Sequence, residues 1–201
     1  LPIIAAILII ASVLLGLAVR AEWTQAVDLR IADALAFRAG ESSSVFILFM
    51  QGVSWIGGGV PRWGVVALLS LLVWRWSGRR YALALAGFSL LASLASSMLK
   101  AGFDRARPNL IAHLDHVSNA SYPSGHAANT AVLYMLFAWF APPRWRAPSW
   151  ALAGAMILFN GLSRMMLGVH WPTDIAGGTM LGAAFALLGA WWVSRAPLNK
   201  S

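Results

Sequence analysis

The chain has 201 residues, of which 59% are hydrophobic and 11% charged, with mean hydropathy +0.69 and a formal net charge of +8. Soluble domains carry roughly 25% charged residues; the apolar excess here falls in long runs, which excludes the soluble classes and reads as an integral membrane protein. The positive charge sits in short clusters between those runs, which excludes nucleic acid as the partner, and the absence of Cys excludes disulfides, thiolate nucleophiles and cysteine metal sites.

A spanning helix needs about 20 apolar residues. Residues 1–19 form the first such run and lack the basic leader and cleavage site of a signal peptide. The chain opens without Met, so its true N-terminus is expected upstream. Residues 21–40 predict an amphipathic helix, with Trp23, Val27, Ile31, Leu35 and Phe37 at helical spacing among Asp28, Arg30, Asp33 and Arg38. It is expected on the outer membrane surface. Residues 43–59 are apolar but end in Gly57-Gly58-Gly59, with Pro61 following at once, and predict a partly immersed helix instead of a span. Five further spans follow at residues 61–76, 81–99, 124–140, 149–166 and 172–193.

These elements predict an all-α fold, a polytopic bundle of six transmembrane helices plus short interfacial helices. One domain covers residues 1–201: residues 1–20 as the first span, 21–60 as outer-face helices, and 61–193 as the five-span core. With the N-terminus inside, the inner loops collect Arg75, Arg79, Arg80, Arg144, Arg146, Arg195 and Lys200, while the outer side holds Arg20, Arg30, Arg38 and Arg62. That division follows the positive-inside rule. Gly178 and Gly182 form a small-xxx-small pair in the last span, which predicts close helix packing.

Three polar patches interrupt the apolar pattern at span ends: residues 100–108 with Lys100, Arg107 and Pro108; residues 122–126, Tyr-Pro-Ser-Gly-His; and residues 163–174 with Ser163, Arg164, His170 and Asp174. In the six-span topology all three reach the outer face, so one pocket can collect them. Lys100, Arg107 and Arg164 supply three cations, two of them forked guanidinium donors suited to phosphate oxygens. Ser124 is the expected N-cap of the following span. The N–H groups of Gly125 and His126 then face an anion, and Gly125 has no Cβ to hold an oxygen away from the backbone.

Two histidines divide the labour in such a cradle. Hydrolysis through a covalent phospho-enzyme needs one His to attack phosphorus and another to protonate the departing oxygen. His170 is the expected nucleophile, because Asp174 lies four residues on, in the first turn of the last span, and can fix its tautomer. His126 is the expected general acid and, later, the base that activates water. His113, Asp115 and His116 read as an ordinary polar loop that can touch a headgroup, and Asp104 and Arg105 are expected to pair with each other or with a motif cation.

The pattern Lys-x6-Arg-Pro, Pro-Ser-Gly-His, Ser-Arg-x5-His-x3-Asp resembles the three-part signature of the type 2 phosphatidic acid phosphatase (PAP2) superfamily, and every key position is filled, from Lys100 through Asp174. The resemblance covers about residues 45 to 193. It implies the same roles for His170, His126, Asp174, the three cations and Ser124, and a reaction that uses no metal and no cofactor. It further implies a phosphorylated, long-tailed membrane lipid as substrate, most closely undecaprenyl pyrophosphate. Phosphatidylglycerophosphate, phosphatidic acid and lipid A are the alternatives, as is transfer between lipids. The bilayer is the expected partner, with no nucleic acid and no obligate protein partner. The expected location is a bacterial inner membrane with the site facing the periplasm. An anion transporter is the competing class, but no broken mid-bilayer helices or inverted repeat support it. The related vanadium haloperoxidases are soluble and larger, which this composition contradicts.

Overall fold

In lipid, backbone polar groups must be satisfied within the segment, which leaves the helix as the natural form of these apolar runs. The computed structural model describes residues 1–38, 42–117 and 120–195, and these fold into eight α-helices with no strand among them. They are α1 (Pro2–Arg20), α2 (Gln25–Leu35), α3 (Ser44–Gly57), α4 (Gly59–Ser77), α5 (Arg79–Phe103), α6 (Gly125–Phe140), α7 (Pro143–Met166) and α8 (Pro172–Ser194). The all-α expectation holds.

Three helices, α1, α5 and α8, are long and apolar enough to cross a membrane, and α3 with α4 adds a fourth candidate as a pair bent by 63°. The six expected spans do not all meet that standard, for physical reasons. Helix α6 has 16 residues, a rise of about 24 Å against a hydrocarbon core of about 30 Å. Helix α7 carries Arg144, Arg146 and Arg164 and an internal Pro148, which dilute its apolar character.

Helix α6 is the centre of the bundle. Twelve of its residues are buried, and it packs against α8, α7 and α5. Helix α1 lies along α8 and α4 along α5, while α3 lies across α7 and α4. The glycines predicted to allow close packing do so: a Cβ on Gly178 or Gly182 would penetrate the backbone carbonyl of Ser124 or Ala128 on α6. Outward-facing Ile3, Ile7, Ile10, Leu14 and Leu17 give α1 an apolar surface suited to lipid.

The amphipathic segment is shorter than predicted. Helix α2 covers Gln25–Leu35, and residues 39 and 40 of the expected segment lie outside the described residues. Trp23, Val27 and Ile31 are exposed, whereas Asp28 and Ala32 are buried. Trp23, Val27 and Ile31 are thus free to meet lipid while the Asp28 carboxylate points into the protein, and Phe37, at the end of the stripe, is buried with Met50, Leu167 and Val169.

The basic residues expected inside gather at one end of the bundle. Ser77 Oγ donates to Phe140 O at 2.7 Å, and Arg80 Nη2 donates to Trp192 O at 2.6 Å, tying the α4–α5 turn to the ends of α6 and α8. Lys200, assigned to the same side, lies outside the described residues. All three polar patches meet at the opposite end.

Candidate active site

Helix ends aim the polar side chains. Helix α5 runs one turn past its predicted end, so Lys100 sits in its last turn, and Asp104 closes it in a left-handed conformation (φ 43°), one of the few residue types that accept it. The chain that leaves this cap carries Arg105 and Arg107. Ser124 caps α6 as predicted, its hydroxyl accepting from Ala127 N at 3.4 Å. Its own N–H donates to Asp174 O at 2.9 Å, joining the start of α6 to the start of α8.

His170 and Asp174 meet as the spacing predicts. His170 Nδ1 lies 3.2 Å from Asp174 Oδ2. Oδ2 also accepts from the Trp171 backbone N–H at 2.8 Å and from the Ser121 hydroxyl, whose oxygen is 3.2 Å from His170 Nδ1. Oδ1 accepts from Arg105 Nη1 at 2.6 Å. A carboxylate with this many donors remains ionised and acceptor-only, so the network assigns the ring proton to Nδ1 and leaves the lone pair on Nε2. Arg107 Nη1 stands 3.3 Å from that Nε2 and 2.5 Å from Val169 O.

Lys100 Nζ donates to the carbonyls of Ala120 and, at 3.3 Å, Ser121. Arg164 is 1% exposed and donates through Nη1 to Ser54 Oγ and Asp115 Oδ2. Lys100, Arg107, Gly125, His126, Arg164 and His170 all line one cavity of about 360 Å³. Ser124 lies just behind the wall as the cap, and Asp174 behind His170. Every site residue predicted from the sequence is therefore at this end of the bundle, in or against one pocket. A second cavity of about 480 Å³ adjoins it, sharing Gly58, Gly59, His116 and His126 and bordered by Gln51 and Trp55 of α3.

Several contributors were not predicted. Arg105 pairs with Asp28 Oδ2 at 2.7 Å and with Asp174, not with Asp104 or a motif cation. Asp28 also accepts from Thr173 N at 3.0 Å and Thr173 Oγ1 at 2.7 Å, so a carboxylate from α2 caps the start of α8. Asp115, read as ordinary loop, is the ion-pair partner of Arg164. Its neighbour His113 turns away, with Nε2 2.7 Å from Pro108 O. The Gly57-Gly58-Gly59 break, read only as a helix stop, shapes the pocket: Gly59 takes φ +54°, and a Cβ on Gly58 would collide with the His126 ring. No local sequence signal separates these residues from ordinary loop and surface positions.

Burial is the main force on the charges. It drives the pKa of His170 down to about 3, with Asp174 pulling the other way. Burial, and next the nearby Arg164, lowers Arg107 to about 10. Burial pushes the Asp115 carboxyl up, but the Ser54 hydroxyl and the Arg164 guanidinium outweigh it and hold the group below its ordinary value. His170 is therefore a neutral imidazole with a free electron pair at neutral pH. The linkage has a definite sign. The unfolded chain binds a proton near pH 6.5 that the folded chain refuses until about pH 3, so this contribution to stability is complete above 6.5 and is lost as pH falls across that window. Thermal unfolding in detergent at about pH 7 and about pH 4.5 should show a smaller acid-induced drop in Tm for His170→Gln than for wild type. An equal drop in both proteins would mean that His170 is not held neutral by the fold.

Residues 80–197 match the family described as the PAP2 superfamily. Phosphatidylglycerophosphatase B of Bacillus subtilis is 37% identical over 95 residues, which are 44% of this chain and 46% of that protein, so the match spans about half the relative's length. Decaprenylphosphoryl-5-phosphoribose phosphatase of Mycobacterium tuberculosis is 30% identical over 161 residues, covering 79% of this chain and 84% of that one. The fold is similar to that of the crystal structure of a transmembrane PAP2 type phosphatidylglycerolphosphate phosphatase from Bacillus subtilis, with TM-score 0.86 at 24% identity over 98% of both chains. It is less similar to Aquifex aeolicus LpxE, with TM-score 0.66 at 17% identity over 81% of this chain and 94% of that one.

Proposed function

Because this chain belongs to the PAP2 superfamily, we propose that it is a metal-independent membrane phosphatase that cleaves a lipid phosphate or pyrophosphate through a phosphohistidine. The observation that carries the reading is the His170 lone pair, fixed by Asp174 at Nδ1 and facing the cavity shared by Lys100, Arg107, Arg164 and His126.

His170 Nε2 attacks phosphorus, and the bond to the leaving oxygen breaks as His126 delivers a proton to that oxygen. The ring of the adduct is cationic, and the buried Asp174 carboxylate balances it. Lys100, Arg107, Arg164 and the N–H groups at the start of α6 hold the equatorial oxygens. In the second half, His126 takes a proton from water and the water oxygen attacks phosphorus. The N–P bond breaks, its electron pair returns to His170, and phosphate leaves.

The bundle acts as one membrane unit over residues 1–201, with six crossings that add α4, α6 and α7 to α1, α5 and α8. The site then faces the extracytoplasmic side of an inner membrane. Support comes from the collection of Arg75, Arg79, Arg80, Arg144 and Arg146 at the far end. The pocket lies at headgroup level, and the apolar outer face of α3, with Val45, Leu48 and Trp55 exposed, offers a lateral approach for a long tail. The preferred substrate is undecaprenyl pyrophosphate, with phosphatidylglycerophosphate next.

The purified protein in detergent with EDTA should release phosphate from polyprenyl pyrophosphate at a rate unchanged by the chelator. Phosphatidylglycerophosphate, phosphatidic acid and lipid A complete the panel and rank the headgroups. No release from any of these lipids, or an absolute requirement for added metal, would defeat the reading.

A further inference from the structure

A fourth cation faces the pocket from outside the three motifs. Arg62 sits in the first turns of α4, its backbone N–H bonded to Gly58 O at 3.3 Å. Gly58 is the residue whose missing Cβ makes room for His126, so Arg62 stands on the His126 side of the cavity. The sequence placed it among outer-loop charges; the structure makes it a wall of the same 360 Å³ cavity that holds Lys100 and His170.

Its surroundings are polar and incomplete. Arg62 Nη2 donates to Ser93 Oγ at 3.3 Å, and the guanidinium lies 4.6 Å from the Trp63 ring centroid. Its Nε is buried without a hydrogen-bond partner, and among the described residues no carboxylate pairs with it. Two more side chains lining the cavity are in the same condition. Ser96 is 2% exposed and Asn129 is 4% exposed, and Ser96 Oγ and Asn129 Oδ1 have no partner. An amide flip lets Asn129 present N–H in place of oxygen. Arg62 through Nε, Ser96 through Oγ and Asn129 through its flipped amide thus have hydrogen-bonding capacity at the cavity wall that no described residue takes up.

A cation even half-withdrawn from water, as Arg62 is, is costly in a membrane protein unless something neutralises it. The other cations of the cavity are held by carbonyl or carboxylate oxygens, Lys100 by loop carbonyls, Arg107 by Val169 O and Arg164 by Asp115, whereas Arg62 holds only the Ser93 hydroxyl among the described residues. Arg107 also stands against the nucleophilic nitrogen, which puts the transferred phosphoryl group on its side. The leaving oxygen takes its proton from His126, so whatever that oxygen belongs to extends toward Arg62. An alcohol leaving group brings no charge there. A leaving group with its own phosphate does.

We propose that Arg62, Ser93, Ser96 and Asn129 form a second anion subsite that binds a phosphate of the leaving group, so the enzyme prefers lipids with two phosphates over simple monoesters. This rests on the phosphatase reading above. Two lipid classes supply that chemistry: a lipid pyrophosphate, whose leaving group is a lipid monophosphate, and phosphatidylglycerophosphate, whose leaving group contains a phosphodiester.

Two measurements test it. The first compares kcat/KM for a polyprenyl pyrophosphate, phosphatidylglycerophosphate and phosphatidic acid in wild type, Arg62→Gln and Arg62→Lys. The ratio of a two-phosphate lipid to phosphatidic acid should fall about 10- to 100-fold in Arg62→Gln, the usual size of a charge-assisted hydrogen bond, and less in Arg62→Lys. A fall confined to the pyrophosphate identifies the anhydride as the ligand; a fall for both identifies the shared second phosphate. An unchanged ratio overturns the proposal. The second measures binding without turnover, using methylenediphosphonate and methylphosphonate as probes on protein that elutes as a single peak. Wild type should bind the diphosphonate more tightly, and Arg62→Gln should erase the preference. No preference in wild type, or the same preference in both, overturns the subsite. If the preference behaves as expected while no lipid is hydrolysed, the phosphatase reading fails and the subsite stands.

Discussion

His170→Ala is expected to abolish turnover, with a loss on the order of 10⁴-fold or more, while the protein still purifies as a folded species. In the proposed scheme the imidazole supplies the atom that bonds to phosphorus, and the polar group 3.3 Å from Nε2 is Arg107, a cation that cannot take its place. His126→Ala is expected to fail differently. A leaving group that is stable as an anion, such as p-nitrophenolate, departs without a proton, so His170 can still be phosphorylated. The second half requires a base for water, and losing it slows that step by about 10²- to 10⁴-fold. Phosphate should therefore accumulate on the protein in His126→Ala, as an acid-labile, alkali-stable label absent from the His126→Ala/His170→Ala double variant. Wild-type turnover in either single variant would sink the division of roles, and a label that persists in the double variant would place the phosphate elsewhere.

The second large effect belongs to Arg105, which touches no substrate in this scheme. It bridges Asp28 and Asp174, both fully buried, at 2.7 and 2.6 Å, and lies 5.3 Å from the Trp171 ring centroid. Removing one member of a buried ionic cluster leaves the others uncompensated, at about 3 to 5 kcal/mol. Arg105→Leu is therefore expected to lower Tm sharply. It should also lower kcat, because the Asp174 carboxylate that orients His170 loses the donor on Oδ1. The control is Arg105→Leu with Asp28→Asn. Taking away the second carboxylate should recover a measurable part of the lost Tm, since one uncompensated charge is removed along with the bridge. If the double variant is no more stable than Arg105→Leu, the three groups do not act as one network. If Arg105→Leu keeps wild-type Tm, the bridge contributes nothing.

The network joins α2 to the His170–Asp174 pair. Asp28 caps the start of α8 through Thr173 N, and Asp174, one residue further on, holds His170. Helix α2 is thus seated by the same contacts that fix His170, with Val27 and Ile31 turned outward. The Asp115–Arg164 pair does similar service on the other side, tying the long loop before α6 to α7 and, through Ser54, to α3.

Much of the site was legible in the sequence because its geometry is local. Asp174 lies one helical turn after His170, and the Ser124 cap with Gly125 and His126 follows from the start of a helix; short-range backbone geometry fixes both. The helical class and the close packing at Gly178 and Gly182 follow from composition and small-residue spacing. The rest depends on contacts across long separations. Arg105 meets Asp28 at a distance of 77 residues in sequence, and Arg164 meets Asp115 at 49; no periodicity encodes such partners. The seating of α2 was not encoded locally for a related reason. An amphipathic pattern gives two faces but not which of them meets protein, and only packing against α7 and α8 turned Asp28 inward. Arg62 is the sharpest case: a basic residue beside a span end reads as a membrane anchor, and the 63° bend between α3 and α4 is what delivers it to the pocket. Local sequence determined the reacting groups, and tertiary structure decided which charges surround them, because a buried charge finds its partner through the packing of distant helices.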